Sequence, residues 1–210
     1  KNFNIKINSY FELKHLKVLA STGSPLLNET FEYVYDSIKE DVHLASISGG
    51  TDIVSCFVLG NPSSSVFSGE IQCPGLGMDV DIFDESGQSI NSIKGELVCK
   101  TPFPSKPLYF WNDKNFEKYK NSYFLKYRNI WCHGDYCIKT ANDGYVILGR
   151  SDATLNSGGI RIGTAEIYRV IENLEEISEG LAVEYQNKND TDVILFVVTH
   201  KQANLDDILK

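Results

Sequence analysis

One glycine-rich, polar crossing, Gly149 to Ile167, constrains this chain more than any other stretch. It begins where the apolar run Tyr145–Leu148 ends and finishes in an amphipathic segment. Between them lie two arginines, Arg150 and Arg161, an aspartate, Asp152, and the pair Gly158-Gly159. Polar connectors of this kind join folded regions and carry groups that bind anions. The chain is therefore expected to divide at the aspartate, into residues 1–151 and 152–210.

Before the crossing, two patterns follow one another. Ser9–Leu16 suits a short helix leading into a strand, Lys17–Ala20. After the loop Ser21–Pro25, Leu27, Phe31, Val34, Tyr35 and Ile38 recur at helical spacing, with Asn28 as the expected N-cap. A second apolar run, His43–Ile47, ends in Ser48-Gly49-Gly50-Thr51-Asp52. Strand, helix and strand make an α/β unit over residues 1–65, whose ligand loops lie at the carboxyl ends of parallel strands. From about residue 66 the pattern becomes short strands separated by turns. The expected strands are Glu70–Gln72, Asp79–Phe83, Gly95–Lys100, Tyr136–Lys139 and Tyr145–Leu148, with hairpin-type turns at Asp84–Gly87 and Asn142–Gly144. An antiparallel, barrel-like region with one inserted helix, Phe116–Phe124, fits 66–151.

Beyond the crossing, Thr164 suits a helix cap and Glu166 the helix's positive end. Ile167, Val170, Ile171 and Leu174 mark the stripe to be buried. Strands Leu181–Tyr185 and Val193–Thr199 flank a polar turn, and another helix is expected from Asn204. Helix, hairpin and helix form a small α+β module.

Composition narrows the partners. The net charge is −8, and no basic run exceeds a dipeptide, which argues against a nucleic-acid surface. No apolar run is long enough to span a bilayer. The five cysteines are scattered without a CxxC pair, as in thiols of a reducing, cytoplasmic setting.

Four clusters can carry chemistry, and each has an ordinary structural alternative. Gly49-Gly50-Thr51-Asp52 offers close backbone approach to a phosphate, a hydroxyl donor and an oxygen ligand for Mg²⁺, or is simply a glycine-rich turn. Gly23-Ser24-Pro25 is equally open to either reading. In His133-Gly134-Asp135 the carboxylate suits the two hydroxyls of a ribose, or a turn between strands, and His133 reads as structural. Arg150 and Arg161 suit phosphate and ribose oxygens, or surface ion pairs.

In their order along the chain these clusters resemble the motifs of the adenylate-forming enzymes: acyl-CoA synthetases, luciferases and peptide-synthetase adenylation domains. The motifs are Gly23-Ser24-Pro25, Gly50-Thr51-Asp52, Gly95-Glu96-Leu97, His133-Gly134-Asp135 and the Gly149–Ile167 crossing, and they cover nearly the whole chain. Ser48–Asp52, Gly69–Cys73, Phe110–Asp113 and Gly149–Asn156 look like the acetoacetate-activating branch of that family.

The resemblance implies ATP, Mg²⁺ and coenzyme A as reactants, with acetoacetate as the acid. It implies that Gly23, Ser24 and Pro25 border adenine. Gly50 and Thr51 approach adenine and α-phosphate, and Asp52 lies near Mg²⁺. Asp135 holds the ribose, Arg150 contacts ribose or phosphate, and Arg161 faces the phosphate during adenylation. Asp152 becomes the hinge, and Gly158 and Gly159 lie along the coenzyme A path. Ala153 and Asn156 replace a second Asp and a Lys common in the family, which points to its short-chain branch. Gly49 stands where the acetate-specific enzyme has a pocket-closing Trp, so Gly49→Trp is expected to move preference towards acetate. The family's phosphate loop is expected upstream of this sequence and its catalytic Lys beyond Lys210. The chain would then hold no catalytic residue and, alone, be inactive. The implied fold is the end of a large α/β nucleotide domain followed by the start of a small, mobile α+β domain. The alternatives are a ligase for another short-chain acid and a non-catalytic nucleotide-binding module.

Overall fold

The computed structural model of the chain describes residues 5–152, 154–157, 160–171, 174, 176–187 and 190–199. Contacts divide the chain into two compact units, residues 1–147 and 148–210. The fold is α/β with few helices.

The first unit opens with a parallel pair. Strand β1 (Val18–Ser21) lies beside β2 (His43–Ser46), joined by helix α1 (Asn28–Tyr33) and a wider π-helical turn, Val34–Ile38. The helical spacing read from the sequence is the buried face: Phe31 and Val34 pack with Val42 and Leu44, and Leu19, Leu26, Tyr35 and Ile38 close the cluster. The N-cap is Leu27 rather than Asn28, and it makes no side-chain cap bond. Asn28 is instead the first helical residue, and its backbone carbonyl accepts from Ser68 Oγ at 3.4 Å. The expected helix at Ser9–Leu16 is a single 3₁₀ turn at Ile7–Ser9, because most of its positions face solvent and leave a helix nothing to pack against.

Two antiparallel sheets follow. Strand β3 (Ser48–Gly50) pairs with β4 (Ser55–Leu59), which pairs with β5 (Cys73–Pro74). Strands β6 (Val80–Phe83), β7 (Gly95–Cys99), β8 (Trp131–Lys139) and β9 (Tyr145–Arg150) lie in that order. Ile71 and Tyr145 exchange two backbone hydrogen bonds of 2.8 Å, which joins the two sheets. Their shared core contains Ile53, Phe57, Val58, Ile82, Leu97 and Trp131, all almost fully buried. Helix α2 (Glu117–Tyr123) covers it through Tyr119, Tyr123 and Phe124, the apolar side expected from the sequence. Tyr123 stacks on the Trp131 indole at 3.6 Å between centroids.

In the second unit two segments of the crossing pair antiparallel, β10 (Thr154–Ser157) against β11 (Ile160–Gly163). Helix α3 (Thr164–Ile171) follows, then a long hairpin of β12 (Ile177–Asn187) and β13 (Asp190–Thr199). The hairpin strands run further towards the turn than the polar residues at 186–192 suggested, since cross-strand pairing compensates weak strand preference. Ile171 is buried over Gly180, and Tyr168 Oη accepts from the Ala182 N–H at 3.2 Å, which seats α3 on β12. Val170, expected in the buried stripe, is 63% exposed. The helix expected from Asn204 lies outside the described residues.

Candidate nucleotide site

The loops at the carboxyl ends of β1 and β2 start side by side: the Ile47 N–H donates to Ser21 O at 2.9 Å. The Ser21–Pro25 loop leaves here, with Gly23 at φ +94° and open space around its Cα, and Ser24 exposed. Left-handed backbone of this kind favours glycine. The second loop does not stay a loop. Ser48–Gly50 is recruited as an edge strand by β4, and Thr51–Ile53 forms one 3₁₀ turn that ends at Val54 in the left-handed region. Ile53 plugs the core while Thr51 and Asp52 remain exposed on the same turn.

Irregular pairing sets the centre of the site. In β3–β4 the register shifts between Ser48 and Gly49, so that Phe57 bulges out of the ladder. In β7–β8 it shifts between Glu96 and Val98, and the three residues His133, Gly134 and Asp135 oppose the single residue Leu97. Gly134 sits at φ +82°, a conformation that the extra residues require. Bulges of this kind re-aim side chains.

The two bulges meet. His133 Nε2 lies 3.2 Å from the Gly49 carbonyl oxygen, and its ring stands edge-on to Phe57 with centroids 4.7 Å apart. The same nitrogen is 3.6 Å from Asp135 Oδ2. That is too long for a hydrogen bond, so the Nε2–H donates to Gly49 O. His133 is 8% exposed and Asp135 7% exposed. The face of Gly50 abuts the imidazole: a Cβ there would lie 2.9 Å from His133 Cε1. Gly49 is tighter, since a Cβ would lie 2.6 Å from Cys56 Cα and closer still to the Ser55 carbonyl oxygen. Both glycines are thus required by close backbone and ring contact. Burial pushes the Cys137 thiol up to about 12, and the Asp135 carboxylate adds to the shift. Cys132, beside the site, is also raised to about 12, first by burial and then by Glu96.

Asp52 accepts a hydrogen bond from the Tyr123 hydroxyl, and Tyr123 in turn is held by its stack on Trp131. Within the first unit, then, Gly49, Gly50, His133 and Asp135 are in one cluster, and Asp52 is tied to it through Tyr123 and Trp131. Among the described residues no group of three or more His, Cys, Asp or Glu side chains forms a metal cage. Asp52 and Thr51 still fit Mg²⁺ that arrives with a nucleotide, because that ion keeps waters and phosphate oxygens and takes only one or two carboxylates. A separate groove of about 390 Å³ runs along Tyr109–Phe116 and is lined by none of these residues.

In the second unit Arg150 donates from Nε to Asp152 Oδ1 at 2.8 Å and from its terminal amine to Oδ2, a two-point pair on the surface. Arg161 stands opposite Asn156 in the backbone register of β10 and β11. Gly158 and Gly159 lie outside the described residues. The sequence reading missed Tyr123 as a polar partner of Asp52, and it took His133 as structural without anticipating its contact with Gly49. The available signal was Trp131-x-His133-x-Asp135, an alternation that places all three on a strand.

No family model matches the chain. An acetoacetyl-coenzyme A synthetase of Rhizobium meliloti (strain 1021) is 52% identical over 198 residues, which are 94% of this chain and 30% of the relative. The acetoacetyl-CoA synthetase of Gallus gallus is 46% identical over 210 residues, 99% of this chain and 32% of the relative. The solved structure of acetoacetyl-CoA synthetase from Streptomyces lividans superposes with a TM-score of 0.83 at 40% identity, over 96% of this chain and 31% of that one. The chain therefore spans a little under a third of the length of the relatives it matches.

Proposed function

We propose that this chain, which belongs to the acetoacetyl-CoA synthetase family of adenylate-forming enzymes, is part of an AMP-forming acetoacetate–CoA ligase. The observation that carries the reading is the meeting of the two bulges. A buried carboxylate, Asp135, lies next to His133, whose ring contacts the glycine strand Gly49–Gly50, and that strand leads directly to an exposed Thr51-Asp52 turn. This is a small polar site suited to a nucleotide with an acyl group at one end.

The reaction needs two transfers. An acetoacetate carboxylate oxygen attacks the α-phosphorus of ATP, forming acetoacetyl adenylate and releasing pyrophosphate. The coenzyme A thiolate then attacks the acyl carbonyl, and AMP leaves. In this proposal Asp135 accepts hydrogen bonds from both ribose hydroxyls. The open Gly23-Ser24-Pro25 loop borders the adenine. Gly50 and the Thr51 hydroxyl approach the α-phosphate, and Gly49 lets the main chain line the acyl end. Asp52 would supply one oxygen to Mg²⁺ arriving with the nucleotide, and the ion would balance charge developing on the phosphates. Arg150 contacts ribose or phosphate, Asp152 is the hinge, and Arg161 faces the phosphate during adenylation. Gly158 and Gly159 border the pantetheine path. A cytoplasmic setting belongs to the same proposal, supported by five free cysteines. Among the described residues no helix is long and apolar enough to cross a membrane.

The test is pyrophosphate exchange by the complete protein. Exchange into ATP that depends on acetoacetate, with a higher kcat/KM than for acetate, is the expected result. A higher kcat/KM for another short-chain acid assigns the protein to that neighbouring activity. No acid-dependent exchange, with or without nucleotide binding, overturns the proposal.

A further inference from the structure

Resting on that reading, we propose that His133 is a positioning residue that holds the acyl-side strand and the ribose-side carboxylate in one fixed relation. Three contacts carry it. The Nε2–H of His133 donates to the Gly49 carbonyl oxygen at 3.2 Å, a side-chain bond to the β3 main chain. Its ring edge abuts Gly50 so closely that no side chain fits there, and its other side is walled by Phe57. Asp135 follows two residues later on the same bulge, with its Oδ2 3.6 Å from Nε2. Both ends of the contact lie where the ladder is irregular. The β3–β4 register shifts next to Gly49, and Asp135 lies in the β7–β8 bulge opposite Leu97, so the imidazole adds a contact between two places where the ladders are irregular. A buried ring with fixed neighbours is suited to this task, since a group that orients ligand-bearing residues must itself be locked by packing.

The role is one of geometry. His133 moves no proton in either transfer; it sets the distance between Gly49–Gly50 and Asp135. A ligand that occupies both ends, the acyl adenylate, therefore depends on it.

The discriminating pair is His133→Gln against His133→Asn in the complete protein. The amide nitrogen of Gln reaches the Nε2 position, whereas that of Asn stops near Nδ1. Both lose the ring and its packing on Phe57. The probe is the non-hydrolysable sulfamoyl analogue of acetoacetyl adenylate, titrated by calorimetry, with thermal unfolding recorded for each variant. One hydrogen bond of ordinary strength corresponds to about a tenfold change in affinity. The expected result is that His133→Asn binds the analogue about tenfold more weakly than His133→Gln, while the two unfold at similar temperatures. Equal affinities of the two variants overturn the inference while leaving the proposed function standing, provided the unsubstituted protein binds. Loss of folding in both makes His133 a core residue and also overturns it. An unsubstituted protein that does not bind the analogue overturns both readings.

Discussion

Gly49→Ala tests whether the acyl-side strand has room for any side chain. The added methyl would lie 2.6 Å from Cys56 Cα and 2.9 Å from the Ser55 carbonyl carbon, against 3.4 Å or more for ordinary contact. All of these obstacles are backbone, so no rotamer change relieves them. β3 must separate from β4 to admit the methyl, and β3 is only three residues long. Overpacking of this kind costs about 1–3 kcal/mol, and a lost ladder hydrogen bond adds about 1. The expected total is about 2–4 kcal/mol, a drop of roughly 1–2 M in the urea midpoint for a typical slope. Circular dichroism through a urea titration of the complete protein measures it, with acetoacetate-dependent exchange followed in parallel. Gly23→Ala is the control: it meets no atom within 4 Å and carries only the strain of its positive φ, about 1 kcal/mol. A Gly49→Ala protein as stable as the unsubstituted one refutes the packing argument. Gly49→Trp is subject to the same contact. Its expected first effect is loss of stability, before any change from acetoacetate towards acetate.

Other perturbations read separate parts of the structure. Gly134→Ala forces a side chain into φ +82° at the β8 bulge, and should cost about 1–2 kcal/mol and weaken nucleotide binding with it; unchanged AMP affinity would separate the bulge from the site. Tyr123→Phe keeps the stack on Trp131 but removes the hydroxyl that donates to Asp52; the expected outcome is a changed Mn²⁺ affinity in the presence of ATP, read by electron paramagnetic resonance, with little change in melting temperature. Asp152→Asn breaks an exposed pair with Arg150 and should cost less than about 1 kcal/mol, so a much slower thioester step in that variant would report on the hinge and not on folding. The thiols of Cys132 and Cys137 are raised to about 12 by burial, above their ordinary value of 9.0. The unfolded chain therefore loses these protons first; stability is full below about pH 9 and falls as pH rises towards 12. Cys137→Ala should flatten that alkaline decline in urea midpoints, and an unchanged slope would contradict it.

How much of this was legible in advance depended on whether a feature is local. The β1–α1–β2 unit and the apolar side of α2 were readable because Phe31, Val34 and Ile38, or Tyr119, Tyr123 and Phe124, report their own burial through spacing along one segment. The order of the glycine and acidic motifs was likewise a property of the chain, and it carried the family resemblance. The candidate site was legible as a set of residues but not as an arrangement. Ser48-Gly49-Gly50 has little intrinsic preference for a strand and becomes one because β4 pairs with it. His133 and Asp135 look like residues of a turn, yet they are buried in the longest strand of their sheet, displaced by two residues against Leu97. Within the crossing, residues 154–157 and 160–163 read as a loose connector and pair as antiparallel strands, for the same reason. Val170 sits at helical spacing with Ile167 and Ile171 but faces solvent, since the partner surface sets the width of a buried stripe. By itself the sequence determined which segments have an apolar face and which residue types stand in which order. Cross-strand pairing, register and bulges decided where the imidazole of His133 and the carboxylate of Asp135 point, because those depend on partners far apart in the chain.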